Sequence, residues 1–200
     1  MIAGNLIART GAVVSLLLSA SAFSADSTWV AGLPWQSALA AKRSKAVEDY
    51  FLLLPSSIVD CENIAKGLPS SEERKKLIRL SDVKNGYLEF GKKSQLAVFK
   101  NRAEKMDFIA LQFGKSGAGN TCGAVNSLFL FDANTRTWKS RDDLLPKGYT
   151  HKELYTALSD KDILPYFLLP RKGTDIEIKN ENNDSTLAVL HWNGKAFVVK

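Results

Sequence analysis

Cysteine and histidine are the residues of this chain that could carry out covalent chemistry, and there are two of each. Cys122 could act as a nucleophile, His191 as its base, and Asn193 could orient the imidazole. A thiol hydrolase needs these three roles, because the thiolate attacks a carbonyl carbon after the histidine has taken its proton. The residues around Cys122 indicate a loop that enters a strand, whereas reactive cysteines gain acidity at helix N-termini. A cysteine-dependent amidase or hydrolase is therefore the alternative hypothesis, and we assign no catalytic residue.

The two cysteines, Cys61 and Cys122, have a second interpretation as a disulfide. A small, even number of cysteines in an exported protein is typical of a disulfide bridge, since oxidising compartments keep thiols paired. We expect Cys61 and Cys122 to be bonded to each other, which removes Cys122 as a nucleophile.

The chain contains partial matches to phosphate-binding and metal-binding motifs, but residues that these motifs require are missing. The string Gly114-Lys115-Ser116 matches the end of the phosphate-binding loop motif, but Ile109 stands where that motif needs a glycine. The segment that starts at Asp132 resembles a calcium loop, yet its sixth and twelfth positions lack the glycine and glutamate that bind calcium. Neither His151 nor His191 lies in a metal-binding pattern. The sequence therefore predicts no metal ion and no cofactor.

Basic and aromatic residues alternate in two parts of the chain, and the sheet could bring them together. They are Lys92, Lys93, Phe99, Lys100, Arg102, Lys105, Trp138, Lys139 and Arg141. Such a shallow cationic surface would attract a protein or an anionic envelope polymer. Ordinary solvated hairpin residues would give the same pattern. The formal net charge of +6 is spread along the chain, so we expect no nucleic-acid partner.

The N-terminus has the three parts of a secretory signal. Arg9 provides the positive charge, an apolar run extends from Gly11 to Leu18, and Ala20-Ser21-Ala22 matches the small residues of a cleavage site. The run is shorter than the roughly 20 apolar residues that span a bilayer. We therefore expect residues 1–22 to be removed near Ala22, leaving a periplasmic or secreted protein without a membrane span.

The first half of the remaining chain has helical periodicity. Residues 23–36 lack a period and predict an extended arm. Apolar residues three and four apart predict a helix from Ser37 to Leu54, which Pro55 ends because proline lacks an amide donor. A second helix is expected from Ser57 to Lys66. Ser70 and Glu73 form a capping box, which predicts a third helix up to about Arg79.

The second half of the chain alternates between apolar and polar residues, as strands do. The alternation starts at Tyr87, and polar turns at Asp132 and at Asn193-Gly194 predict hairpins. A helix is expected from Thr150 to Leu158, and residues 160–168 would add a turn. The pattern favours an α+β fold, a single domain over residues 37–200 in which N-terminal helices pack on an antiparallel β-sheet built of hairpins.

Four short strings carry a resemblance to a known group of proteins. They are Tyr50-Phe51-Leu52-Leu53-Leu54-Pro55, Glu73-Arg74-Lys75-Lys76-Leu77-Ile78, Asp82-Val83-Lys84-Asn85-Gly86-Tyr87-Leu88, and the segment from Trp138 to Leu145-Pro146. Over residues 46–146 the chain resembles a family of small exported bacterial proteins of uncharacterised function. The resemblance implies a periplasmic or secreted setting and an α+β domain, and it supplies no catalytic residues.

Export, a predicted disulfide and the failed motifs together favour a binding function. The sequence predicts a non-enzymatic module that contacts a protein or an anionic polymer outside the cytoplasm. Inhibitors and immunity proteins fit this description.

Overall fold

The fold consists of two antiparallel sheets with short helices around them. The computed structural model describes residues 29–30, 33–55, 70–101, 104–113 and 125–200. The strands are β1 (Trp29–Val30), β2 (Ile78–Asp82), β3 (Tyr87–Phe90), β4 (Ser94–Asn101), β5 (Met106–Phe113), β6 (Val125–Asp132), β7 (Thr137–Ser140), β8 (Pro165–Leu168), β9 (Asp175–Asn180), β10 (Thr186–Trp192) and β11 (Phe197–Val199). The described α-helices are α1 (Gln36–Ala40), α2 (Val47–Leu53), α3 (Ser71–Lys75) and α4 (His151–Leu158).

In each sheet, neighbouring strands are mostly consecutive along the chain. In the described residues, the first sheet has seven strands in the order β1-β7-β6-β5-β4-β3-β2, and the second has four in the order β11-β10-β9-β8. From β2 to β7, and again from β8 to β11, each strand pairs antiparallel with the next one along the chain. The strands therefore form two meanders, and β1 adds an edge strand beside β7.

The first sheet is buried on both faces, since successive side chains of a strand point to opposite faces. Leu96 and Leu111 belong to a core cluster that includes α1 and α2. Ala97 and Ala110, one residue away along the same strands, belong to a second cluster. That second cluster also holds the inward residues of the other sheet: Phe167, Ile176, Ile178, Leu190, Trp192 and Phe197. The second sheet therefore covers one face of the first.

The expected α+β fold, with N-terminal helices packed on one sheet, is wrong. The structure is mostly β, and its helices are short. Sequence periodicity places each side chain on a face but does not say what covers that face. Here the hairpins after α4 form a second sheet, which covers a face of the first.

The helices differ from the expected spans at several points. The helix expected over residues 37–54 is interrupted, and α2 restarts after Ala46, whose amide donates to Asp49 Oδ2 at 2.7 Å. Ser70 caps α3 as predicted, because Glu73 N donates to Ser70 Oγ at 3.2 Å, but α3 ends at Lys75. The helix expected from Ser57 to Lys66 lies outside the described residues.

Buried side chains bind the carbonyl groups at the end of α2, where the last carbonyls of a helix lack helical partners. The amide of Gln36 and the guanidinium of Arg74 both donate to Leu52 O, at 2.8 and 3.1 Å. Trp138 Nε1 donates to Leu53 O at 2.9 Å. Gln36, Arg74 and Trp138 are fully buried. These bonds fasten α2 to α1, α3 and β7.

Candidate functional site

A polar cleft of about 250 Å³ lies between the first sheet and strand β8. We call it the cationic cleft. Its lining residues are Arg79, Glu89, Lys92, Lys93, Ser94, Gln95, Gln112, Tyr166 and Leu168. They come from strands β2, β3, β4, β5 and β8 and from the turn between β3 and β4.

Two features of the first sheet position the cations of the cationic cleft: a bulge in β2 and the tight turn between β3 and β4. Ile78 pairs with Phe90 while Leu80 pairs with Glu89, so Arg79 is an extra residue in β2. Such a β-bulge bends the strand and redirects a side chain. The guanidinium of Arg79 donates to the carbonyl of Lys92.

Lys92 and Lys93 lie at the tip of a tight hairpin next to Arg79. The turn begins at Gly91, whose φ is 56°. Glycine suits this left-handed conformation because it has no Cβ. Gly91 N donates to Leu77 O at 3.0 Å, which holds the turn against β2. Both lysines and Arg79 are exposed, so the local backbone brings three solvated cations to one end of the sheet.

A row of four polar side chains crosses the first sheet, and three of them, Glu89, Gln95 and Gln112, form the floor of the cationic cleft. Glu89, Gln95, Gln112 and Asn126 lie directly opposite one another in β3, β4, β5 and β6. Opposite residues in neighbouring antiparallel strands have Cβ atoms about 5 Å apart. The row lies on the face that meets the second sheet, because the residues two positions along each strand belong to the second core cluster.

The amides of this row hold the edge strand β8, which forms the other wall. Asn126 Oδ1 accepts from Phe167 N at 3.1 Å, and Gln95 Oε1 accepts from Leu169 N at 2.9 Å. An edge strand exposes unpaired backbone groups, and covering them prevents pairing with other chains. These two bonds orient the side chains of Asn126 and Gln95 and hold β8 and the residue after it against the first sheet.

The electrostatics of the cationic cleft favour anions. Its described lining contains three cations and one carboxylate, that of Glu89. The hydroxyl of Tyr87, a buried residue, donates to Glu89 Oε1 at 2.9 Å and so orients the carboxylate. On the opposite wall, Tyr166 donates to Asp184 Oδ1 at 2.6 Å. Burial and that bond raise the pKa of Tyr166, so its hydroxyl stays protonated. The arrangement suits charge and hydrogen-bond recognition.

His191 lies elsewhere, on the second sheet, in a separate charged group. Its Nδ1 lies 2.7 Å from Asp175 Oδ1, the residue opposite it in β9. Hydrogen bonds from Lys200 and from His191 hold the pKa of Asp175 below its usual value. Asn193 Oδ1 accepts from Lys195 N and Ala196 N, at 2.9 and 3.0 Å. Asn193 therefore stabilises the β10–β11 turn, and Asp175 contacts the imidazole instead.

The remaining basic and aromatic residues singled out in the sequence do not form one surface. Phe99 and Trp138 are buried in different core clusters. Arg141 packs on the Phe108 ring, 4.9 Å from its centroid, and pairs with Asp143. Among the members of that set that the structure describes, Lys92 and Lys93 alone line the cationic cleft.

Several predictions concern parts of the chain that lie outside the described residues. These are the signal segment, residues 1–22, both cysteines, Cys61 and Cys122, Arg102, and the loop residues Gly114 to Ser116. Within the part that is described, no group of histidine, cysteine or acidic residues could hold a metal ion. None of the helices described here has the length and apolar character needed to cross a membrane.

Sequence reasoning missed most of the cationic cleft. Arg79 lies at the end of the predicted third helix, and the strand alternation that starts at Tyr87 gives Glu89, Gln95 and Gln112 no role of their own. The available signal was the position of Glu89, Gln95 and Gln112 within strands that are otherwise strongly apolar. Polar residues in such strands need partners, and this indicates a buried network or a site.

No protein-family model, no curated protein and no solved structure matches the chain. The function must therefore be inferred from the residues of the chain itself.

Proposed function

We propose that this chain is an exported, non-enzymatic binding module, and that the cationic cleft binds an anionic group of a protein or of an envelope polymer. The proposal is supported by the fact that Arg79, Lys92 and Lys93 line one cleft together with the side-chain amides of Gln95 and Gln112. Inhibitors and immunity proteins are the kinds of protein that fit this role. Export rests on the signal in residues 1–22, and N-terminal sequencing of the secreted protein should begin at Phe23.

The size of the cationic cleft supports recognition of a small group. Its volume of about 250 Å³ lies just below the roughly 300 to 1,000 Å³ of ordinary small-molecule pockets. The cleft has room for one acidic side chain or one sugar acid. A partner would therefore insert a single anionic group and make its other contacts on the rim.

Binding to acidic polymers tests the proposal. Poly-L-glutamate and polygalacturonate carry carboxylates on a polypeptide and on a glycan, and dextran is the neutral control. We expect the full chain without its signal to bind both acidic polymers at low salt, and more weakly at high salt, because exposed charges are screened.

Paired substitutions locate the binding. Lys92→Gln with Lys93→Gln should weaken binding of both acidic polymers about tenfold, from roughly 0.7 kcal/mol per exposed charge. Lys152→Gln with Lys172→Gln removes the same charge from exposed positions that do not line the cationic cleft and should change the affinity less than twofold. Equal losses in the two double variants would show that only net charge matters and would refute the assignment of the cationic cleft.

A cysteine-dependent amidase or hydrolase is the second candidate, and the bond between His191 and Asp175 favours it. A carboxylate that orients an imidazole is one of the parts that such an enzyme needs. This candidate predicts that iodoacetamide alkylates Cys122 in the folded, unreduced protein. Protection of both cysteines, with two thiols appearing only after reduction, would exclude it and support the disulfide.

A further inference from the structure

The cationic cleft contains charges of both signs at separate positions. Arg79 stands on the bulge and Lys92 and Lys93 on the hairpin tip, and all three are exposed. Glu89 lies in β3, half-buried, as the first residue of the polar row. A ligand in the cationic cleft therefore meets cations and a carboxylate within one lining.

The carboxylate of Glu89 is held in place. Tyr87 donates to its Oε1, and Gln95 lies directly opposite it on β4. The three cations attract a negative ligand group, but such a group is disfavoured next to Glu89, because like charges brought together in a desolvated site repel each other. A ligand with an ammonium group would gain a charge-assisted hydrogen bond at the same place.

From this separation of charges we infer that the cationic cleft takes a small zwitterion, an amino acid or a short peptide. Its carboxylate lies between Arg79 and Lys93, and its ammonium group contacts Glu89. The amide of Gln95 is next to Glu89 and can bond the polar backbone of such a ligand. The volume of about 250 Å³ suits one or two small residues. This inference rests on the proposed function, since it names the ligand class of the same site.

Alanylalanine and its two blocked forms test the inference. The free dipeptide carries both charges, N-acetyl-alanylalanine carries only the carboxylate, and alanylalanine amide carries only the ammonium group. We expect calorimetric titration to show that the free dipeptide binds at least fivefold more tightly than either blocked form, the effect of one charge-assisted hydrogen bond at a half-exposed site.

Glu89→Gln supplies the decisive variant, because it keeps the size and removes the charge. The preference for the free dipeptide over its N-acetyl form should fall below twofold, while the N-acetyl form binds equally or more tightly. A preference that survives Glu89→Gln would overturn the role of Glu89. Equal affinities of the free and N-acetyl dipeptides for the wild-type chain would overturn the zwitterion.

The same titrations separate this inference from the proposed function. If no dipeptide binds but poly-L-glutamate still binds and depends on Lys92 and Lys93, the zwitterion is wrong and the anion-binding cleft stands. If neither the dipeptides nor poly-L-glutamate bind, both proposals fail. The circular dichroism spectrum and the urea midpoint of the Glu89→Gln variant are compared with those of the wild type. If both are unchanged, a loss of the preference for the free dipeptide reflects the missing charge and not unfolding.

Discussion

Replacing Asn126 with alanine tests how the two sheets are joined at β8. The Asn126 side chain accepts from Phe167 N at 3.1 Å, and both residues are 1% exposed. Without the amide, the Phe167 N–H group is buried with no acceptor, which costs about 1–3 kcal/mol. We expect Asn126→Ala to lower the free energy of unfolding by about 2 kcal/mol.

Urea unfolding measures the total effect, and hydrogen exchange localises it. With an m-value of about 2 kcal/mol/M, the midpoint should fall by about 1 M urea. The Phe167 amide should exchange up to about 30-fold faster, because its protection falls by the same free energy. Asn134→Ala is the matched control, since Asn134 is exposed in the β6–β7 turn. Exposed substitutions of this kind change stability by less than about 0.5 kcal/mol.

Equal urea midpoints for Asn126→Ala and Asn134→Ala would show that the hydrogen bond between Asn126 and Phe167 does not stabilise the fold. The same holds for unchanged exchange at Phe167. Either result would mean that β8 is held by apolar contacts alone and that the amide row does not fix the wall of the cationic cleft.

Three further predictions concern other parts of the fold. Trp138→Phe keeps a ring but removes the donor to Leu53 O, so urea unfolding should show a loss of about 1–3 kcal/mol. Thr150→Ala removes the hydroxyl that accepts from Glu153 N and caps α4, and calorimetry should show a loss of about 1 kcal/mol. Burial lowers the pKa of His151 below 6.5, with Asp142 opposing the shift, so the unfolded chain binds the proton more readily. Stability should therefore be full above pH 6.5 and fall below it, and His151→Gln should flatten that fall.

The hairpins could be predicted from the sequence because their signals are local. Polar turn residues between alternating strands predicted the β6–β7 and β10–β11 hairpins, and the structure confirms both. The α4 helix covers His151–Leu158, close to the span predicted from Thr150 to Leu158. These elements depend on residues a few positions apart, which a single sequence displays.

The second sheet and the cationic cleft could not be predicted in the same way. Strand β8 is a short apolar run that starts at Pro165, and such a run can belong to a strand or to a buried helix. Proline at the first residue of an edge strand is tolerated, because no ladder partner needs its missing N–H. The bulge at Arg79 depends on the pairing of β2 with β3, so the residues of β2 alone do not predict it.

Amide shifts caused by a bound acidic polymer show where on the protein the polymer lies. Poly-L-glutamate is titrated into ¹⁵N-labelled protein, and amide shifts are followed residue by residue. The largest shifts should cluster at Arg79, Lys92, Lys93 and Gln95, while the Asp175 and His191 amides on the second sheet stay within noise. Shifts that are spread over all exposed lysines, or that centre on the second sheet, would contradict a binding site at the cationic cleft.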